Sequence, residues 1–130
     1  MIDPQAPVRV VIAAPGGDAV VTVEVADTEK VINAGLGNRR ELGADAGMLF
    51  FMPKQKDWSF WMHDTLIALD IVFITKDREI AGIVHNAQPK TDDSRRVGKT
   101  SYYVLEVNGG WMAKHGVAVG QRVRFDNIKD

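Results

Sequence analysis

The sequence contains no cysteine, carries almost no net charge and has no long apolar run. Without cysteine, disulfide bonds, iron–sulfur clusters, cysteine-ligated zinc and thiol catalysis are excluded. Its 16 Lys and Arg residues face 17 Asp and Glu residues, for a formal net charge of −1. Because nucleic-acid binders generally neutralise phosphates with a basic excess, we expect no nucleic-acid partner. No apolar run approaches the ~20 residues of a membrane span.

Short motifs that specify a reaction or a nucleotide are also missing. The sequence has no Gly-x-Ser-x-Gly turn, no phosphate-binding loop and no dinucleotide-binding glycine pattern. Its histidines, His63, His85 and His115, are far apart and show no His-x-x-x-His spacing. We therefore predict no catalytic residue, no metal site and no cofactor.

The length of 130 residues suits one domain. Residues 1–18 are predicted to be an N-terminal arm with a possible edge strand, Val8–Ala14, before the turn-forming Pro15–Asp18. Residues 19–130 are predicted to be a single β-rich domain. The first residues have neither a basic region nor an apolar stretch, so we do not expect them to be a secretion signal.

Alternating and continuous apolar runs indicate strands along most of the chain. Val21, Val23 and Val25 alternate with polar residues, as in a half-buried strand. Ile71–Ile74 is unbroken, as in a strand covered on both faces. Trp58–Met62 is rich in aromatic strand formers, which predicts another strand.

The remaining signals mark short helices and one strand end. Asp27 or Thr28 is a candidate N-cap for a short helix, and Trp111–His115 is predicted to form about one helical turn. Met48–Met52 is predicted to be a strand closed by Pro53. The predicted fold class is α+β, mainly β: a compact barrel-like or sandwich-like sheet of seven to eight short strands with two short helices.

Four segments taken together resemble one family. They cover residues 23–28, 46–50, 59–73 and 104–125, and the most specific is the Phe-Trp-Met-x-x-Thr-Leu stretch that begins at Phe60. In order and spacing they resemble the domain of unknown function 192 family over about residues 20–126. The resemblance implies a small, single-domain, bacterial or archaeal protein of barrel-like, β-rich fold. Since many members carry an export signal or lipid anchor, it also implies an extracytoplasmic location, but it implies no activity.

The densest group of polar and aromatic side chains comprises Trp61, His63, Asp64, Thr65 and Asp70. Period-two alternation from Trp58 places Trp61 and His63 together on the face opposite to the core. One interpretation is a pocket with an aromatic wall and directional hydrogen bonds. The other is a structural corner, in which Asp64 or Thr65 caps a turn and Asp70 binds backbone amides.

Glu106 and Asn108 lie on the strand that leads to Trp111. Glu106 is predicted to be half-buried, and it could face Asp64 or Asp70 as an acid–base pair. The alternative is an ion pair with an arginine, for which Arg39, Arg40, Arg122 and Arg124 are available. Trp111 is predicted to fill the core.

The first functional hypothesis is a non-catalytic binding module for a small polar or carbohydrate-like ligand or an extended peptide. Its predicted ligand-binding residues are Trp61, His63, Asp64, Thr65, Asp70, Glu106 and Asn108. One alternative is a small hydrolase or isomerase that uses a carboxylate pair. Another is a structural or assembly factor of the cell envelope that pairs through a strand edge. The sequence does not indicate an oligomeric state.

Overall fold

The apolar alternations become strands in the computed structural model, which describes residues 6–128. Within that range the chain forms β1 (Val8–Ala14), β2 (Gly17–Ala26), α1 (Glu29–Ala34), β3 (Ala46–Lys56), β4 (Leu69–Ile74), β5 (Ile80–Ala87), β6 (Ser101–Asn108), α2 (Trp111–Lys114) and β7 (Val123–Asp126). The predicted mainly-β class with two short helices is confirmed. None of the helices in this range is long and apolar enough to cross a membrane.

The seven strands of residues 6–128 form one mixed sheet in the order β5-β4-β6-β3-β2-β1-β7. β2 and β3 are parallel, and every other neighbouring pair is antiparallel. The sheet is not closed, but its two ends meet at one point. There Ile80 donates to Gln121 and Val123 donates to Arg78, each at 2.9 Å. This gives the sheet its barrel-like curvature.

The N-terminal strand lies inside the sheet and not at its edge. Val10 is paired with Val21 of β2 on one side and with Phe125 of β7 on the other. The expected edge position of Val8–Ala14 is therefore corrected to one between two strands. Residues 1–5 of the predicted arm lie outside the described residues, and the division at residue 18 stays a prediction.

Both faces of the sheet are buried, because apolar side chains occupy alternate positions on both sides of its central strands. One face, here called the α2 face, carries Leu49, Val72 and Leu105 and is covered by α2. The opposite face, here called the α1 face, carries Phe50 and Ile71 and is covered by α1 and the residues around 58–65. All six residues of β4 are buried, as predicted from its unbroken apolar run.

The predicted strand over Trp58–Met62 is wrong. Only Phe60 forms a bridge, exchanging backbone hydrogen bonds with Arg95 at 2.9 and 2.7 Å. β6 already has a partner on each side, so this segment lies across the α1 face instead of extending the sheet. The predicted alternation survives, since Met62 is buried and Trp61 is exposed.

β3 differs from its predicted end at Pro53. The strand continues to Lys56, and its register with β6 shifts between Phe51 and Lys56. A proline is tolerated at such an irregularity because its missing N–H leaves no ladder bond unmade.

Asp70 fixes the beginning of α2 from within the sheet. Its fully buried carboxylate accepts backbone hydrogen bonds from Asn86 (2.8 Å), Gly110 (3.0 Å) and Met112 (2.9 Å). Gly110, the N-cap residue, has no side-chain oxygen, so Asp70 supplies the acceptor that a cap would provide. This is the structural corner that the sequence offered as an alternative for Asp70.

We predict that Asp70→Asn lowers the free energy of unfolding by about 2–4 kcal/mol, because the amide keeps only one of the two acceptor oxygens and leaves at least one buried N–H group facing an NH2 group. The matched control is Asp64→Asn, at an exposed position with φ 56° that asparagine also tolerates. It should change the free energy by less than about 0.5 kcal/mol. Urea denaturation measures both values, and equal losses would contradict the role of Asp70.

Candidate ligand-binding site

A cavity of about 710 Å³ lies on the α1 face. It is bounded by α1, by the middle of β3 and by residues 58–65, and β6 contributes to its floor. α1 is only six residues long: Thr28 caps it, accepting from the backbone of Val31, and Gly35 ends it with φ 50°. A helix this short covers only part of the face, and the cavity occupies the remaining space.

Aromatic side chains form much of the cavity wall. Phe50 and Phe60 meet edge to face, with ring centroids 5.2 Å apart, and Trp58 and Trp61 line the same cavity. Trp61 is 57% exposed and stacks on His63, with centroids 4.7 Å apart and an interplanar angle of 21°. An exposed tryptophan at a cavity mouth offers a flat apolar surface to a ligand.

A tight turn holds Trp61 and His63 in place. The N–H of Thr65 donates to the carbonyl of Met62 at 3.0 Å, and Asp64 takes the left-handed conformation inside the turn. The carbonyl of Thr65 accepts from Lys90 at 2.9 Å, which fastens the turn to the long loop between β5 and β6. The turn therefore has a structural role as well as lining the cavity.

His63 lies between two carboxylates. Its Nδ1 is 2.8 Å from Oδ1 of Asp92, and its Nε2 is 3.4 Å from Oδ2 of Asp64. The hydrogen bond to Asp92 raises the pKa of the exposed imidazole, and the charge of Asp64 raises it further. Protonated His63 is thus neutralised by its own neighbours.

Glu106 lies at the cavity floor with only 4% of its surface exposed. Its Oε1 would be 3.9 Å from a β-carbon added to Gly35, so the carboxyl faces the end of α1. Burial alone raises the pKa of Glu106 to about 8, and within residues 6–128 no hydrogen bond to its carboxyl offsets that effect. A carboxyl in this state is protonated at neutral pH.

Three of the four arginines considered as partners of Glu106 are bound elsewhere. Arg39 forms a two-pronged ion pair with Glu24, which lowers the pKa of that glutamate and raises the pKa of the arginine. Arg122 donates to the carbonyl of Asp77 at 2.8 Å, and Arg124 donates to Asp126 at 3.0 Å. These three arginines therefore do not form the expected ion pair.

Four of the seven predicted site residues line the cavity: Trp61, His63, Thr65 and Glu106. Asn108 instead donates from its amide to the carbonyls of Leu42 and Gly43, both at 3.0 Å. Asp64 is exposed beside His63, and Asp70 binds the backbone at α2. Asp64, Asp70 and Asn108 are thus not among the lining residues.

The sheet separates Asp70 from Glu106. Asp70 is opposite Val107 in the ladder and Glu106 is opposite Ile71, so the two carboxyl groups point to different faces. An acid–base pair between them is excluded, because their side chains cannot meet through the packed strands. The hypothesis of a hydrolase or isomerase therefore cannot use Asp70 and Glu106 as its carboxylate pair.

Three lining carboxylates were not predicted from the sequence: Asp27, Glu29 and Asp92. Glu29 is an acidic residue in the first turn of a helix, where it interacts favourably with the helix dipole. Asp92 is of a type common in solvated loops. Neither has a periodic pattern pointing to a cavity. Among the lining residues of the described chain, His63 is the only basic type, and no Lys or Arg is present.

Metal-ligand side chains do not gather in the described part of the chain. Within residues 6–128 no group of three or more His, Asp or Glu side chains is placed to hold a metal ion. His85 is exposed on β5, and His115 ends α2 with its Nδ1 2.8 Å from the carbonyl of Trp111.

The family model of DUF192, described as an uncharacterized ACR, matches residues 10–125. The chain belongs to the DUF192 family. None of the curated proteins compared with this sequence matches it. The resemblance seen in the sequence is thereby confirmed, and the cavity lies within the DUF192 match.

Two crystal structures share the fold of this DUF192 domain. A candidate transcription regulator from Sinorhizobium meliloti 1021 is 32% identical, with a TM-score of 0.88 over 95% of this chain and 96% of that chain. A protein of unknown function from Novosphingobium aromaticivorans DSM 12444 is 33% identical, with a TM-score of 0.87 over 95% and 91%. The agreement covers nearly the whole of each chain, so both neighbours have the same architecture.

We predict that Glu106→Gln removes a pH dependence from the stability of the domain. The native carboxyl ionises only near pH 8, whereas in the unfolded chain its pKa is the ordinary value of 4.5. Stability should therefore be fully present below pH 4.5 and fall as the pH rises through 8, by roughly 1.4 kcal/mol per pH unit between these values and on the order of 5 kcal/mol in total.

Urea denaturation of wild type and Glu106→Gln between pH 4.5 and 8.5 measures this difference. Glu29→Gln, at an exposed carboxylate of the same cavity, is the control and should keep the wild-type slope. Parallel curves for wild type and Glu106→Gln would show that Glu106 is not buried in this state.

Proposed function

We propose that this domain is a non-catalytic binding module that holds a small polar ligand in the cavity on the α1 face. The observation that carries the proposal is the cavity itself, about 710 Å³, with Glu106 at its floor and Trp61 at its mouth. A cavity of this size, with apolar walls and a few polar groups, has the dimensions of a small-molecule site.

The arrangement of the side chains supports binding more than catalysis. Trp61 and His63 form a stacked pair at the mouth of the cavity, and His63 is hydrogen-bonded to Asp92. The carboxylate pair that a hydrolase or isomerase would use is divided by the sheet for Asp70 and Glu106. A binding role needs only the shape and polarity that the cavity has.

The remaining alternative, a structural or assembly factor that pairs through a strand edge, has weaker support, and so does nucleic-acid binding. A factor acting through a strand edge would require no cavity on the α1 face. Such a role also does not explain the buried carboxyl of Glu106 in that cavity. The name of the Sinorhizobium neighbour suggests a role on DNA. With a net charge of −1 and several carboxylates at the site, we expect no nucleic-acid binding by this domain.

We predict that a ligand from a screen of sugars, sugar acids, phosphates, amines and short peptides stabilises the wild-type domain through Trp61. Trp61→Ala removes the exposed aromatic wall and should weaken binding about tenfold, or about 1.4 kcal/mol. Thermal shift identifies the ligand, and isothermal titration calorimetry measures its affinity for each variant.

Val119→Ala is the matched control, since Val119 is 54% exposed and lies outside the cavity lining. It should bind the ligand as tightly as wild type does. Equal affinities of Trp61→Ala and wild type would place the ligand elsewhere and contradict the proposal.

A further inference from the structure

We propose that the cavity on the α1 face binds a small organic cation, an ammonium or quaternary ammonium group, with the Glu106 carboxylate as its counter-ion and the aromatic walls around its apolar groups. This inference rests on the proposed binding function and names the chemical class of the ligand. Three independent features of the site lead to it: the sign of its charges, the buried carboxyl and the aromatic wall.

Carboxylates are the most numerous charged side chains that line the cavity. Asp27 precedes α1, Glu29 lies in its first turn, and Asp92 comes from the loop between β5 and β6. Among the described residues that line the cavity, only His63 can carry a positive charge, and it is held by two carboxylates. The field in the cavity therefore attracts cations and repels anions.

Glu106 is the group for which a bound cation would be the counter-ion. Its neighbours in the ladder are Met48 on β3 and Ile71 on β4, both apolar, and in residues 6–128 no cation is paired with it. An ionised carboxylate without a partner is costly to bury. A positively charged ligand at the cavity floor removes that cost, which an uncharged ligand of the same shape does not.

The aromatic wall is suited to the apolar groups of an organic cation. Ammonium and quaternary ammonium groups are attracted to the faces of aromatic rings, tryptophan above all. The chain already uses this interaction next to the cavity, because Nζ of Lys56, which is outside the lining, lies 4.9 Å from the ring centroid of Trp58. Trp61 and Phe60 add further aromatic surface to the cavity.

Binding of a cation should be coupled to proton release. Burial holds the pKa of Glu106 at about 8, so the carboxyl carries a proton at pH 7 and must lose it to become the counter-ion. The other titratable groups of the cavity are Asp27, Glu29, Asp92 and His63. Deprotonation of His63 also favours a cation as the pH rises, so a Glu106 variant is needed to assign the effect.

The test compares three probes of matched shape whose charge does not change between pH 6.5 and 8.5. They are choline, its uncharged analogue 3,3-dimethylbutan-1-ol and the anion 3,3-dimethylbutanoate. Isothermal titration calorimetry with the whole chain should give choline at least tenfold tighter binding than the alcohol at pH 8, and the weakest binding for the anion. Choline affinity should rise three- to tenfold from pH 6.5 to 8.5, with proton release seen in buffers of different ionisation enthalpy.

Glu106→Gln preserves the shape of the uncharged carboxyl and should fold like wild type. It should lower choline affinity about tenfold, remove most of its pH dependence and leave binding of the alcohol unchanged. Glu79→Gln, at an exposed glutamate outside the cavity lining, is the control and should match wild type.

Two results separate this inference from the proposed function. If the alcohol or the anion binds as tightly as choline, and Trp61→Ala weakens that binding, the cavity is a ligand site but the cation inference is overturned. If none of the probes binds at millimolar concentration and the wider screen yields no ligand dependent on Trp61, both are overturned. Unchanged choline affinity in Glu106→Gln also overturns the cation inference.

Discussion

The structure depends on the burial of both faces of one sheet. β4 and β6 lie side by side in the middle of the strand order, and their apolar side chains alternate between the α1 face and the α2 face. Each face therefore needs a cover. On the α1 face that cover is a six-residue helix and the irregular residues 58–65, which leave a cavity between them. The candidate site is thus a consequence of how this face is covered.

Two buried carboxyl groups show how the two faces differ. Asp70 accepts three backbone hydrogen bonds on the α2 face and serves the beginning of α2. Glu106, one position along the neighbouring strand, faces the cavity among apolar neighbours, and burial raises its pKa. The same functional group is structural in one environment and available to a ligand in the other. The environment, and not the residue type, decides the role.

Local signals predicted the elements better than the site. The valines of β2, the apolar run of β4 and the Thr28 cap act over a few residues, so their patterns are visible in the sequence. Strand propensity predicts a strand over Trp58–Met62 because it reports fit to a half-buried surface and not the presence of a pairing partner. The cavity joins Glu29, Trp61, Asp92 and Glu106, which are brought together by the insertion of β6 between β3 and β4. No periodic pattern in the sequence indicates that these four residues lie close together.

The DUF192 match and the two similar structures establish the family and the fold of this chain. Function depends on the site, because one fold can host many functions. The proposed site depends on a Glu106 carboxyl that is buried at the floor of the cavity and protonated at neutral pH. An NMR titration of the Glu106 side-chain carboxyl carbon measures its pKa. A single inflection near pH 8 is expected. An inflection near the ordinary value of 4.5 would show a solvated or paired carboxylate and would rule out this environment for Glu106.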